Sequence, residues 1–218
     1  MNAGLSNLAT LKSWLLPASL LAVTDYDARI TALGLAVGGA IEKACNRKFA
    51  WMTGDVFQCN ADRTSIVLPR FPFSTANNGV TALAIRTDMI AGFVDQGNPM
   101  NLILDIGWES GLVDFGVWQG PLHARLQFTY DGGYFWEQLE PADMGYPTTQ
   151  PAGSTALPTT LLGAFRLQVA EEWKRADKTG LEITRDPEKQ HTVRGLDEDP
   201  LLPLVTRMIA PYVRYAMT

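Results

Sequence analysis

Histidine and cysteine are scarce in this chain, with two of each among 218 residues. Cys45 and Cys59 lack the close spacing of a zinc site and are too few for a disulfide framework. They could pair in principle, but they read as reduced core residues. His123 stands at a strand entrance and His191 in a charged stretch. Neither has a Cys, Ser or acid at a recognisable motif spacing, so both read as solvated side chains rather than catalytic bases. Basic charge is also short. Eighteen Lys and Arg against 23 Asp and Glu leave a formal charge of -5, the wrong sign for gripping nucleic acid through its phosphates. Long apolar runs are missing: the stretch from Trp14 to Val23 is interrupted by Pro17 and Ser19 and follows no basic cluster. Neither a signal peptide nor a membrane span is expected, and the reading is a soluble protein made in a cytoplasm. Internal repeats and low-complexity tracts are absent too.

What is present describes an ordinary folded protein, 46% apolar and 19% charged, long enough for one large domain or two modest ones. The clearest pattern runs from Leu157 to Gly180. Leu162, Phe165, Val169, Trp173 and Ala176 recur at helical spacing, Pro158 and Thr159 open the first turn, and Gly180 suits a left-handed C-terminal residue. Glu171 and Arg175 stand one turn apart, and Lys174, Arg175 and Lys178 crowd the negative end of the helix dipole. Leu162, Phe165, Val169 and Trp173 are therefore the expected core of a helical bundle.

Two earlier helices supply its partners. Leu5, Leu8, Leu11 and Leu15 form a stripe behind the cap candidate Ser6, ended by Pro17. After Thr24 and Asp25, Ile30, Leu33, Val37, Ile41 and Ala44 mark a longer helix closed by the basic pair Arg47-Lys48. Gly34, Gly38 and Gly39 weaken it, each by about 1 kcal/mol against alanine. Either they are tolerated, or they form a smooth strip for another backbone, in the same subunit or the next. At the other end Leu201, Leu204, Val205, Met208, Ile209 and Val213 suggest a last helix broken near Pro211, with the charged stretch Leu181 to Pro200 before it.

Between these helices the period becomes two. Asp55 to Cys59 and Thr64 to Leu68 read as a hairpin around Asn60-Ala61-Asp62-Arg63. Val80 to Arg86 follows, and then Leu102 to Ile106 and Leu112 to Phe115, joined by the loop Gly107 to Gly111. The strongest strand alternates Ala124, Leu126, Phe128 and Tyr130 with Arg125, Gln127 and Thr129. Residues 137–156 are rich in Pro, Gly, Thr and Ser and read as a loop. The expected fold is α+β: a helical bundle from 1–52 and 155–218 with a C-terminal arm, and an antiparallel β insertion over 53–136.

No catalytic, cofactor or metal site is expected. Asp105, Asp114 and Asp131 could meet at one end of a sheet, but turn-forming aspartates explain them more simply. Asp131-Gly132-Gly133-Tyr134 lacks the following helix and Lys-Ser/Thr of a phosphate loop. Glu171-Glu172 lacks the Glu-x-x-His partner of a carboxylate-bridged metal site. Tyr134, Phe135 and Trp136, with Trp108 and Trp118, mark either a contact surface or a local core. Gly34, Gly38, Trp108, Trp118, Phe135 and Trp136 are the candidate subunit contacts.

The succession of Asn46-Arg47-Lys48-Phe49, Leu68-Pro69-Arg70-Phe71-Pro72, Leu126 to Tyr134 and a Leu157-Pro158 helix closing on Glu172-Trp173-Lys174-Arg175 resembles the head-tail connector, or adaptor, proteins of tailed bacteriophages. The resemblance covers roughly Leu8 to Gly180. It implies a helical bundle with a β insertion, assembled in the host cytoplasm as a dodecameric ring beneath the portal protein. That ring joins head to tail in the virion neck and leaves a channel through which DNA passes without specific binding. It further implies no enzyme activity, neighbouring copies and the next neck or tail protein as partners, no membrane, and a C-terminal segment, here Pro211, Tyr212, Val213 and Tyr215, that grips the portal. A ring subunit needs two different faces meeting head to tail, which surplus small and aromatic surface fits. Other readings are another neck or tail-end ring protein, a stopper or tail terminator, and a small β-rich enzyme with an acidic pocket.

Overall fold

A computed structural model describes residues 3–61, 64–76, 79–87, 92–115, 124–136, 149–179 and 201–214, with α3 side chains described as far as residue 175. The fold is α+β, and its described residues divide into a helical unit (3–45, 158–179 and 201–213) and a β unit (46–136 and 149–157, with Arg214).

The helical unit holds α1 (Leu8–Leu15), α2 (Asp27–Cys45), α3 (Thr159–Thr179) and α4 (Pro203–Ile209). The cap of α1 is Asn7, not Ser6: the Asn7 Oδ1 accepts the N–H of Thr10 at 2.8 Å, satisfying one of the donors a helix start leaves open. Lys12 is buried and ties α1 to the start of α2, donating to the Val23 carbonyl at 2.7 Å and pairing with Asp27 at 2.6 Å. The buried stripe of α2 is Ile30, Gly34, Val37, Gly38, Ile41 and Cys45, so Gly34 and Cys45 stand where Leu33 and Ala44 were expected. Asn46 then takes the left-handed conformation at φ 50, which ends the helix. Arg47 and Lys48 consequently lie beyond α2 and do not close it.

In α3 the fully buried side chains are Leu161, Ala164, Phe165 and Val169, joined by Gln168. Leu162 and Trp173 are only half-buried, a rotation of the stripe from its expected phase. Gln168 is buried without penalty because its Oε1 accepts the N–H of Leu202 at 2.8 Å and its Nε2 donates to Glu172 at 2.9 Å. It thereby anchors the start of α4, whose Val205 and Ile209 are buried. At the far end the Cys45 thiol lies 3.9 Å from the Ile209 carbonyl. A 3₁₀ turn, Ala210–Tyr212, follows α4, consistent with a break at Pro211, whose missing N–H cannot continue an α-helix.

The β unit contains β1 (Met52–Asn60), β2 (Ser65–Val67), β3 (Val80–Arg86), β4 (Val94–Asp95), β5 (Asp105–Gly107), β6 (Leu112–Asp114), β7 (Arg125–Gly132), β8 (Tyr134–Phe135) and β9 (Thr155–Ala156). A four-stranded antiparallel sheet has the order β1-β7-β3-β4 and a three-stranded one β2-β6-β5. Leu83, Ile85, Leu126, Phe128 and Tyr130 of the first share one core with Ile66, Ile106 and Val113 of the second. The expected β5–β6 hairpin is present, with Ile106 opposite Val113. The expected β1–β2 hairpin is not: β1 pairs with β7 and β2 with β6. β2 buries Ile66 from the opposite side of the core, so the chain changes sheet between the two strands. Within the expected loop, Thr155–Ala156 pairs in parallel with Tyr134–Phe135 as β9 on β8.

Candidate functional site

Phe49 and Trp51 precede β1, and both are buried. The Phe49 carbonyl accepts the N–H of Tyr134 at 2.6 Å, and the Trp51 N–H donates to the Tyr134 carbonyl at 2.9 Å. Phe49 also stacks on the Tyr134 ring at 6.3 Å between centroids. Phe135 and Trp136 are buried in the same unit, at 8% and 9% exposure. The aromatic run thus packs as a local core of its own chain, with these two side chains nearly covered. Trp108 is half-buried against the sheet core, and Trp118 lies outside the described residues.

The Arg47 guanidinium is the centre of this cluster. It lies 3.4 Å from the centroid of Phe71, 4.9 Å from Phe49 and 5.3 Å from Tyr134, and it donates to the Phe71 carbonyl. A buried cation is retained here because ring faces and a carbonyl replace part of its hydration. Nothing near Arg47 in the sequence signals this, since Phe71 and Tyr134 are remote along the chain.

A second polar group sits at the β1–β7 junction. The Asp55 Oδ2 accepts from Arg70 Nε at 2.8 Å and from the Tyr130 hydroxyl at 2.9 Å. Burial, followed by the adjacent Asp55 carboxylate, pushes the Tyr130 phenol above its ordinary range, so it keeps its proton at neutral pH. Burial also lowers Arg214 from its ordinary value. Asp55, Arg70 and Tyr130 thus form a hydrogen-bonded knot that fastens β1 to the sheet.

The three aspartates do not converge. Asp105 and Asp114 face one another across β5 and β6, whereas Asp131 belongs to β7 and accepts the Gly54 N–H at 2.7 Å. Among the described residues no group of His, Cys, Asp and Glu could hold a metal ion. Glu171 and Glu172 pair with Arg175 on α3. His123 and His191 lie outside the described residues.

The glycine strip is occupied from within the chain. A Cβ on Gly34 would fall 2.5 Å from the Ala3 carbonyl oxygen and 2.8 Å from Leu11 Cδ1, and one on Gly38 would fall 3.0 Å from Gly4 Cα. Gly34 and Gly38 therefore admit the chain's own N-terminal segment, the same-subunit one of the two approaches expected for them. Pro211 is exposed, Tyr212 and Val213 are half-buried, and Tyr215 lies outside the described residues.

Among the described residues the rim of the four-stranded sheet is exposed and its back is half-buried. Val56, Gln58 and Asn60 of β1, Gln127 and Thr129 of β7, and Ala82 and Ala84 of β3 stand opposite the core face, and Gln58 donates to Gln127 at 2.9 Å. Val56 is 53% exposed and Val94 62%, at the two opposite edges of that sheet. No helix of the described residues is long and apolar enough to cross a membrane.

No family model matches this chain, and no curated protein matches it. Among solved structures, it is similar in fold to a chain of the "Neck of empty GTA particle computed with C6 symmetry", with a TM-score of 0.54 over 97% of this chain and 90% of that one, at 16% identity.

Proposed function

We propose that this chain is a structural protein of the neck of a tailed-phage-like particle, and within the neck a head-tail connector, or adaptor. The observation that carries the reading is the likeness of nearly the whole chain, both units included, to a chain from the neck of a GTA particle. The residue order that resembles adaptor proteins supports it from the sequence side. In this reading copies of the chain form a dodecameric ring beneath the portal, join head to tail and surround a channel for DNA. A formal charge of -5 suits a conduit, because an acidic wall does not hold a polyanion in transit. The role requires no catalytic group.

The C-terminal residues Pro211, Tyr212, Val213 and Tyr215 are the proposed portal grip. Tyrosines are effective anchors, joining a large apolar ring to a polar tip at low conformational cost. The test is to mix the purified chain, and a version lacking 211–218, with portal-containing heads and to image them. The full chain should add a ring at the portal vertex, and the truncated chain should stay folded by circular dichroism yet fail to bind. A full chain found only at the distal end of the tail would replace this reading with that of a tail terminator. Binding nowhere on the particle would refute a neck role.

A further inference from the structure

We infer that neighbouring copies join by sheet continuation, with the edge of β1 in one copy, unpaired among the described residues, pairing antiparallel with the likewise unpaired edge of β4 in the next. This rests on the ring reading above and specifies its contact.

Strand direction is the first observation. β1 is antiparallel to β7, β7 to β3 and β3 to β4, so the two edge strands of the sheet run in opposite senses. A rotation that carries one copy onto the next without inverting it therefore brings β4 against β1 as an antiparallel pair. Such a contact uses two different surfaces of each copy, which is the requirement for a closed head-to-tail ring.

The edges themselves are the second observation. The Val56 N–H donates to the side chain of Asp55 at 3.1 Å rather than to β7, so by the two-residue period Val56, Gln58 and Asn60 direct their backbone groups away from the sheet. On the other side Gln96 donates to the Leu83 carbonyl at 2.9 Å, which turns Gln96 and Val94 toward β3 and Asp95 outward. A long edge strand is ordinarily blunted by proline or lysine, and β1 over Met52–Asn60 has neither. Its one charge, Asp55, is held by Arg70 and Tyr130 on the core side. Apolar side chains are exposed at both edges, Met52 and Val56 on β1 and Val94 on β4, with Met100, Leu102 and Leu104 following β4 in the chain. An uncharged edge exposing apolar side chains matches strand addition, in which backbone hydrogen bonds supply the attachment.

The junction would place Asp95 of one copy near Val56 and Gln58 of its neighbour on the same face, which sets the test. The variant Val56→Glu/Gln58→Glu introduces like charge against Asp95 across the junction. Within one chain these positions are three strand spacings apart, about 14 Å, beyond the Debye length of about 10 Å at 0.1 M salt. Sedimentation velocity should show the concentration for half-assembly rising at least tenfold, with the circular dichroism spectrum unchanged. Adding Asp95→Lys should restore assembly, and Asp95→Asn, which keeps an acceptor for the Gly97 N–H, should restore it in part. The same variants are scored for copies bound per portal-containing head. If wild type forms rings, free or on heads, and Val56→Glu/Gln58→Glu forms them equally well, the junction is wrong while the neck reading stands. Loss of assembly that neither Asp95 substitution relieves also overturns it. A wild-type chain that neither self-associates nor binds heads removes both.

Discussion

Gly34 and Gly39 sit five positions apart on α2 and meet opposite surroundings, which makes the pair a direct measure of the close approach inferred for the N-terminal segment. Glycine to alanine within a helix is worth about 1 kcal/mol of backbone entropy and propensity wherever the new methyl fits. At Gly39 a Cβ meets nothing within 4 Å, so Gly39→Ala should stabilise the chain by about 1 kcal/mol. At Gly34 the methyl would stand 2.5 Å from the Ala3 carbonyl oxygen and 2.8 Å from Leu11 Cδ1. Separating a buried backbone contact of this kind costs about 1–3 kcal/mol, which meets or exceeds the propensity gain. Gly38→Ala should fall between them, since its nearest neighbour is Gly4 Cα at 3.0 Å and the next is at 3.5 Å. The expected order of melting temperatures is Gly39→Ala above Gly38→Ala above Gly34→Ala. The outer two should differ by about 2 kcal/mol, or roughly 4–8 °C for a chain of this size. Thermal melts followed by circular dichroism at 222 nm measure it. Equal stabilisation by Gly34→Ala and Gly39→Ala would refute the packing of residues 3–5 on this helix. Unchanged stability with weakened assembly would return the strip to the subunit interface.

Truncation of the α3 core should separate the buried residue from the half-buried one. Phe165→Ala should cost about 3–5 kcal/mol, and Trp173→Ala at least about 1 kcal/mol less, because Trp173 is only half-buried, with Tyr26 in T-shaped contact and the Arg29 guanidinium over its ring; urea unfolding that ranks them in reverse would contradict the assigned phase. Tyr130 predicts an alkaline weakness. Its phenol holds its proton in the folded state to a higher pH than in the unfolded chain, so its contribution is complete below about pH 10, the unfolded value. Above that pH stability should fall by up to about 1.4 kcal/mol per pH unit from this group. Tyr130→Phe should remove that part of the slope in urea melts between pH 9 and 11, and an unaltered slope would deny the shift.

The sequence by itself determined the elements whose signal is local. The spacing of Phe165, Val169 and Trp173 marks α3, the alternation around Leu126, Phe128 and Tyr130 marks β7, and the glycines at 107 and 111 mark the turn between β5 and β6. Each of these follows from the chain's own period or from a turn residue, and needs no knowledge of a distant partner. The short pieces β4, β8 and β9 carry too few residues to show any period. Tertiary structure decided the rest. Leu161 and Leu162 are the same residue type, and only the positions of the neighbouring helices select Leu161 for the core. Gly34 and Gly38 could have served either a neighbouring copy or their own chain until residues 3–5 were placed against them. β1 prefers β7, more than sixty residues away, to the adjacent β2, because pairing follows the apolar face that must be covered. Arg47 has the composition of a helix-closing charge, yet it is buried under Phe71 and Tyr134. In each case the energy that decides lies in contacts between remote segments, which a one-dimensional pattern does not contain.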